Sequence, residues 1–251
     1  MPTLDRHDRL LSQLQANGRA SVAELAEGLG VTSATIRRDL QALASEGRLL
    51  RTYGGAALSD RRLVRDSRTI DAKRAIATAA ARLVVDGSTI AIGSGTTTLE
   101  LARRLVDRRV TVITNALDIA NVLVDRGGVE LILLGGAVRP RMHSMLGHLA
   151  ELASTELRAE TLFMGIGAIS ASHGLMNDSI PEIQTDRALR RMARSVVVLA
   201  DATKFDLVAP AWVFGLEEVE TIVTDWTLAA DRVAEFERRG VRTIVAAEPP
   251  R

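Results

Sequence analysis

Two short stretches of this 251-residue chain carry side chains whose types and spacing could do chemistry. The first runs Thr32-Ser33-Ala34-Thr35-Ile36-Arg37-Arg38-Asp39-Leu40. Ser33, Thr35, Arg37 and Arg38 are hydrogen-bonding groups near the start of an apolar-periodic segment. Arginine can pair with guanine through two hydrogen bonds, and hydroxyls and helix N-termini bind phosphate oxygens. The second stretch is Gly93-Ser94-Gly95-Thr96-Thr97-Thr98. Its backbone N–H groups, hydroxyls and the helix start that follows favour an anion. It has no third glycine at dinucleotide spacing and no P-loop lysine, so a small phosphate ester suits it better than NAD or ATP. Each stretch has a plainer reading. Arg37 and Arg38 would line a solvated helix face, paired with Asp39 or Glu46, and residues 93–98 would be an ordinary strand-to-helix turn.

The elements around the first stretch are legible. Ser21 with Glu24 spells a capping box, and Val22, Leu25, Ala26 and Leu29 give one apolar face at helical spacing. Gly30 ends that helix. Thr32 caps the next, whose buried stripe is Ile36, Leu40 and Leu43. Two short helices across a tight turn form a helix-turn-helix, with Ser33, Thr35, Arg37 and Arg38 presented to the major groove. A short strand and glycine turn through Arg51, Tyr53, Gly54 and Gly55 would add a β-wing on the DNA backbone. Tyr53, the only tyrosine, either touches a phosphate there or packs on the helices.

From residue 73 onward, helical and strand patterns alternate. Apolar runs at 89–92, 110–113, 129–134, 162–164, 196–199, 221–223 and 243–245 read as strands, and helices fall between them. This predicts an α/β domain with a parallel sheet covered on both faces. Ligands in such sheets sit at the carboxyl ends of the strands. The Ser94–Thr97 loop, Asn115, Gly135-Gly136 and Asp201-Ala202-Thr203-Lys204 all follow strands, so Lys204 could reach a phosphate. Asn177, Asp178 and Glu182 surround a turn and helix start, where Pro181 suits the first turn. They could hold sugar hydroxyls, or Asp178 could simply cap the helix. The expected ligand set is Ser94, Gly95, Thr96, Thr97, Asn115, Gly136, Asp178, Glu182 and Lys204.

Composition narrows the class. Hydrophobic residues make up 47% of the chain, enough for a full core, and no run has the length and polarity of a membrane span. No signal peptide is evident, and zero cysteines exclude disulfides and thiolate metal sites. A cytoplasmic protein is expected. Residues 1–65 hold ten arginines against seven acids, a net +3, and the remaining 22 basic and 24 acidic residues give −2. A basic head on a near-neutral body fits a DNA reader with a separate ligand domain. Only Lys73 and Lys204 are lysines, against 30 arginines, so a retained lysine hints at a tight geometric demand. His7, His143, His148 and His173 lack metal-ligand spacing. Neither a metal nor a cofactor is expected. Residues 59–72, polar and without period, read as a linker.

Residues 3–58 resemble the winged helix-turn-helix of the DeoR family of bacterial transcriptional regulators. The match lies in Arg6, Leu10, Leu14, Thr32, Thr35, Ile36, Arg37, Arg38, Asp39 and Leu40 and in the Tyr53-Gly54-Gly55-Ala56 wing, where many members carry histidine at the Tyr53 position. Residues 73 to about 226 resemble the DeoR sensor domain, related in fold to ribose-5-phosphate isomerase and glucosamine-6-phosphate deaminase. The matching segments are Ser94-Gly95-Thr96-Thr97, Thr114-Asn115, Leu134-Gly135-Gly136, Gly174-Leu175, Glu182, and Asp201 with Lys204. One departure is Gly93, where many members have aspartate. The resemblance implies a DNA-binding head at residues 1–58, a linker at 59–72 and an effector-binding domain at 73–251. It implies a repressor of carbohydrate-metabolism genes whose operator affinity a phosphorylated sugar changes, with the Ser94–Thr97 loop and Lys204 holding phosphate. The expected partners are operator DNA, a small phosphorylated metabolite and further copies of the chain in a homodimer or homotetramer, with no membrane. The rival is a sugar-phosphate isomerase or deaminase with an accessory DNA-binding head. Against it, Gly165–Ser170 lacks the carboxylates that related enzymes place after this strand, and no catalytic residue is assigned.

Overall fold

Local capping builds the N-terminal unit of the computed structural model, which describes residues 3–17, 19–45, 50–52, 55–57, 67–140 and 142–249. Its elements are α1 (Thr3–Asn17), β1 (Arg19–Ser21), α2 (Val22–Leu29), α3 (Ser33–Ser45), β2 (Leu50–Thr52) and β3 (Gly55–Ala57). The Ser21 hydroxyl accepts from Glu24 N at 3.1 Å, and Ser21 N donates to the Glu24 carboxylate at 2.7 Å, so the expected capping box forms. Gly30 stops α2 in the left-handed conformation, at φ 64°, which a Cβ would disfavour. Thr32 then accepts from Thr35 N at 3.2 Å and caps α3. Leu10 and Leu14 of α1, Val22 and Leu25 of α2, and Ile36, Leu40 and Leu43 of α3 close one apolar core. The antiparallel sheet β1-β3-β2 supplies a wing beside them.

The second unit, from residue 68 on, begins with α4 (Ser67–Ala81), followed by β4 (Thr89–Ile92), α5 (Thr96–Ala102), β5 (Val110–Thr114), α6 (Leu117–Leu123) and β6 (Val129–Leu133). A hairpin of β7 (Ala137–Arg139) and β8 (Ser144–Leu146), then α7 (His148–Thr155), lead to β9 (Ala159–Gly165), β10 (Ala168–Ser170) and β11 (Gly174–Asn177). After a 3-10 turn at Ile180–Glu182 come α8 (Ile183–Met192), β12 (Ala193–Leu199), β13 (Ala211–Phe214), β14 (Thr221–Asp225), α9 (Ala230–Arg238) and β15 (Arg242–Ala246).

The main sheet is parallel, in the order β15-β14-β12-β9-β4-β5-β6. Its two faces bury separate apolar clusters, one around Leu162, Val196, Phe214 and Ile222, the other around Ile90, Val112, Phe163 and Val197. The first strand, β4, is followed by β5 and β6 on one side, and the chain then crosses to add β9 on the other. The carboxyl ends of β4 and β9 therefore flank the switch point, where a crevice opens in sheets of this type.

The sequence expectation for the parallel sheet is met. The antiparallel sheet β10-β11-β13 and the β7–β8 hairpin were not anticipated, because their strands of three or four residues show no apolar alternation. The expected linker also needs correcting. Residues 67–72 are the first turns of α4, where Ala72 joins the buried set. The 58–66 segment lies outside the described residues, as do Glu46, Tyr53 and Gly54 and the side chain of Arg51, whose backbone is in β2. Leu105, expected to extend α5, is buried in the turns after its end.

Candidate functional site

On α3, Arg37 and Arg38 are exposed, while Ser33 and Thr35 are half-buried at the helix start. The plainer reading of these arginines paired them with Asp39, yet Asp39 turns the other way. It lies on the buried stripe, three residues after Ile36 and four before Leu43, and is 5% exposed. There it meets α1. Arg6 Nε donates to Asp39 Oδ2 at 2.6 Å and Arg6 Nη2 donates to Oδ1 at 2.9 Å, with His7 Nε2 3.2 Å from Oδ1. A bidentate fork fixes position as well as charge. The hydrogen bonds from Arg6 hold the Asp39 carboxyl below the usual carboxylate range, against the opposing effect of burial. Asp39 is therefore the pin that orients the helix bearing Arg37 and Arg38. Helical periodicity carried this signal, since an acid falling on an apolar stripe needs a partner.

This pin makes a pH prediction. The folded pKa of Asp39 lies below its unfolded value of about 3.9. Its contribution to stability is then fully present above that value and is lost as pH falls through the folded pKa. Asp39→Ala should lower the melting temperature of the N-terminal unit at pH 7 by at least about 5 °C. The difference should shrink toward pH 2 in a circular-dichroism melt. An equal difference at both pH values would contradict the pin.

In the second unit the loop after β4 sits at the switch point. Gly93 N donates to Phe163 O of β9 at 2.9 Å, and Gly165 at the end of β9 faces Ser94 O. Thr98 Oγ1 folds back onto Gly95 O at 2.9 Å. The hydroxyls of Ser94, Thr96 and Thr97 have no hydrogen-bond partner among the described residues. The first helical bond recorded in α5 runs from Leu99 N to Gly95 O at 3.0 Å. The amides of Thr96, Thr97 and Thr98 therefore precede the ladder and are open to an acceptor.

The β7–β8 hairpin arranges a second group. Asn115 is buried at the end of β5, and its Nδ2 donates to Met145 O at 3.0 Å while its Oδ1 has no partner. Gly136 has φ 150°, and a Cβ there would stand 2.6 Å from Leu146 O, so its lack of a side chain serves the hairpin. Glu182 forms an ion pair with Arg139 of β7 and lies 3.4 Å from Ser144 Oγ of β8. Gly147 N donates to Thr185 Oγ1 of α8 at 3.2 Å. Asn115, Gly136 and Glu182 are thus brought to one hairpin, whereas Asp178 is exposed on the turn after β11.

Lys204 stands after β12. The register places β9 between β12 and β4, so the 201–204 turn and the 93–97 loop share the carboxyl edge two strand spacings apart, about 10 Å. The turn is clamped by two buried acids. Asp201 Oδ1 accepts from Thr203 N at 3.1 Å, and Asp225 Oδ2 accepts from Ala202 N at 2.8 Å. The Lys204 side chain is half-exposed and has no partner among the described residues.

One group here was not expected from sequence. Asp186 of α8 accepts from Asn177 Nδ2 at 2.7 Å, and Asn177 Oδ1 accepts from Gly167 N at 2.8 Å, beside the end of β9. Burial, helped by the charge of nearby Glu182 and opposed by the Asn177 bond, pushes the Asp186 carboxyl up to about 7. Among the described residues no cluster of three His, Cys, Asp or Glu could hold a metal ion. No helix among them is long and apolar enough to cross a membrane.

Each of the two units matches a known family. Residues 6–62 match the DeoR-like helix-turn-helix domain, and residues 68–226 match the DeoR C terminal sensor domain. The HTH-type transcriptional repressor CsqR of Escherichia coli strain K12 is 31% identical over 226 residues, covering 88% of this chain and 87% of its own. The glycerol-3-phosphate regulon repressor of the same strain is 30% identical over 231 residues, covering 90% and 92%. Among solved structures, a ribose 5-phosphate isomerase A from Methanocaldococcus jannaschii aligns over 55% of either chain at 20% identity, with a TM-score of 0.41.

Proposed function

We propose, from the premise that this chain belongs to the DeoR family of transcriptional regulators, that it is a DNA-binding repressor of carbohydrate-metabolism genes switched by a phosphorylated sugar. It is a regulator, not an enzyme: the two relatives described above, matched along nearly its whole length, are transcriptional repressors. One observation carries the reading. A chain that presents two exposed arginines on a capped and pinned helix also holds, in its other unit, the Ser94, Thr96 and Thr97 hydroxyls at the sheet's switch point, unpartnered among the described residues.

In this reading Ser33, Thr35, Arg37 and Arg38 read the operator, with Arg51, Tyr53 and Gly54 on the flanking backbone. The open amides and hydroxyls of Ser94–Thr97 take the phosphate oxygens, and the Lys204 ammonium adds the opposite charge. Glu182, Asn115, Gly136 and Asp178 surround the polyol end. Paired copies of the chain span two operator half-sites, and the cytoplasm is where operator and metabolite meet. An effector needs only about 1–3 kcal/mol of preference between two arrangements of the heads to change operator affinity usefully.

A thermal-shift screen against phosphorylated sugars and polyols tests the sensing half, because a ligand bound only by the folded state raises its melting temperature. The expected hits are phosphate esters alone, each lost in Lys204→Ala. Stabilisation by the unphosphorylated sugar, or an undiminished shift in Lys204→Ala, would overturn this assignment.

A further inference from the structure

A second cationic group lies at the opposite, amino-terminal edge of the main sheet. Arg187, Arg190 and Arg191 stand at helical spacing near the end of α8, where Arg190 Nη1 donates to Ala193 O at the start of β12 at 3.0 Å. With Trp212, Phe214 and Glu218 they line a cavity of about 150 Å3. Three guanidinium groups against one carboxylate leave a net +2. Arg190 Nε is 3.1 Å from Glu218 Oε2, yet this buried N–H makes no hydrogen bond among the described residues. Arg191 is exposed and has no partner among the described residues.

The aromatic wall narrows the choice of ligand. β13 is the edge of its sheet, and Arg187 caps that edge, with Nε donating to Val213 O at 2.8 Å and Nη2 to Trp212 O at 2.9 Å. The same guanidinium lies 5.0 Å from the Trp212 ring centroid, yet Trp212 remains 51% exposed. A large aromatic surface beside an electropositive hollow is a stacking platform next to an anion site. The bases of a DNA duplex keep their faces stacked on one another and cannot use that platform.

We infer that this cavity binds a small phosphate monoester carrying a planar ring, of the purine nucleoside monophosphate class. The phosphate sits on Arg190 and Arg191, and the ring lies on Trp212. This goes beyond the operator and sugar-phosphate reading and does not depend on it.

The test uses the full chain carrying Trp226→Phe, which leaves Trp212 as the sole tryptophan. Adenosine 5′-monophosphate should quench its fluorescence saturably. Adenosine and inorganic phosphate should each bind at least tenfold more weakly, and Arg191→Gln should weaken the nucleotide at least tenfold with an unchanged circular-dichroism spectrum. Calorimetry on the unsubstituted chain should return the same Kd, which guards against damage from Trp226→Phe. Absence of saturable binding in both experiments would overturn the inference. So would equal affinity for adenosine, an unchanged Kd in Arg191→Gln, or equal quenching by a short DNA duplex.

Discussion

Arg37→Ala should weaken binding to the cognate operator by about 5- to 150-fold, the loss of one bidentate base contact worth about 1–3 kcal/mol. The operator is the duplex that the unsubstituted protein selects from a random library, and fluorescence anisotropy supplies the Kd. Arg37 is exposed, so its removal leaves the core of Leu10, Ile36 and Leu40 intact and the melting temperature unchanged. The loss should be confined to the cognate sequence and should be smaller on random DNA. Arg37→Ala binding the selected operator as the parent does would remove α3 from the major groove. A uniform loss on every duplex would make Arg37 a phosphate contact instead.

The second large effect concerns stability and runs opposite to the direction usual for a paired carboxylate such as Asp39. The folded pKa of Asp186 is about 7, above its unfolded value of about 3.9. Between those two values the folded chain holds a proton that the unfolded chain has released, so stability falls as pH rises through the window and is lowest above it. Asp186→Asn removes the charge and keeps an oxygen to accept from Asn177 Nδ2. At pH 8 the variant should therefore be more stable than the parent by on the order of 2–4 kcal/mol. The two should converge toward pH 4. Denaturant unfolding followed by tryptophan fluorescence measures both points. An Asp186→Asn variant less stable at pH 8 would show that the carboxylate is stabilised by a cation.

Such an arrangement is expected at a functional site, where groups are held in environments that folding alone would avoid. Glu182 has its own counter-ion in Arg139, whereas among the described residues Asp186 has only the Asn177 amide. In the proposed reading, a crevice that keeps one acid paired and the other about half protonated at neutral pH presents less negative charge to a phosphate ester.

Much of this organisation is legible in the sequence wherever one residue type has one local job. Ser21 with Glu24, Gly30 and Thr32 are capping signals complete within four residues, and the apolar strand runs of the main sheet declare themselves by composition. What stays hidden is long-range pairing. The partner of Asp39 is 33 residues away in α1, and the Asn177–Asp186 bond joins a short strand to a helix. The β7–β8 hairpin, which brings Glu182 toward Asn115, consists of two strands of three residues and has no periodic signature. Gly136 illustrates the limit. Its type and place suggest a ligand approach, and its missing side chain also admits Leu146 O, a close contact that the sequence does not declare.

One coupling is central to the proposed function, between a phosphate held at the 93–97 loop and the grip of α3 on DNA. The most direct measurement is the operator Kd with and without the phosphorylated sugar that raises the melting temperature, in the parent chain and in Lys204→Ala. The parent should show a change of about 5- to 150-fold, the usual range for coupled sites, and Lys204→Ala should bind the operator normally with no response to the ligand. An unchanged operator Kd at saturating ligand in the parent, or an equal response in Lys204→Ala, would contradict it.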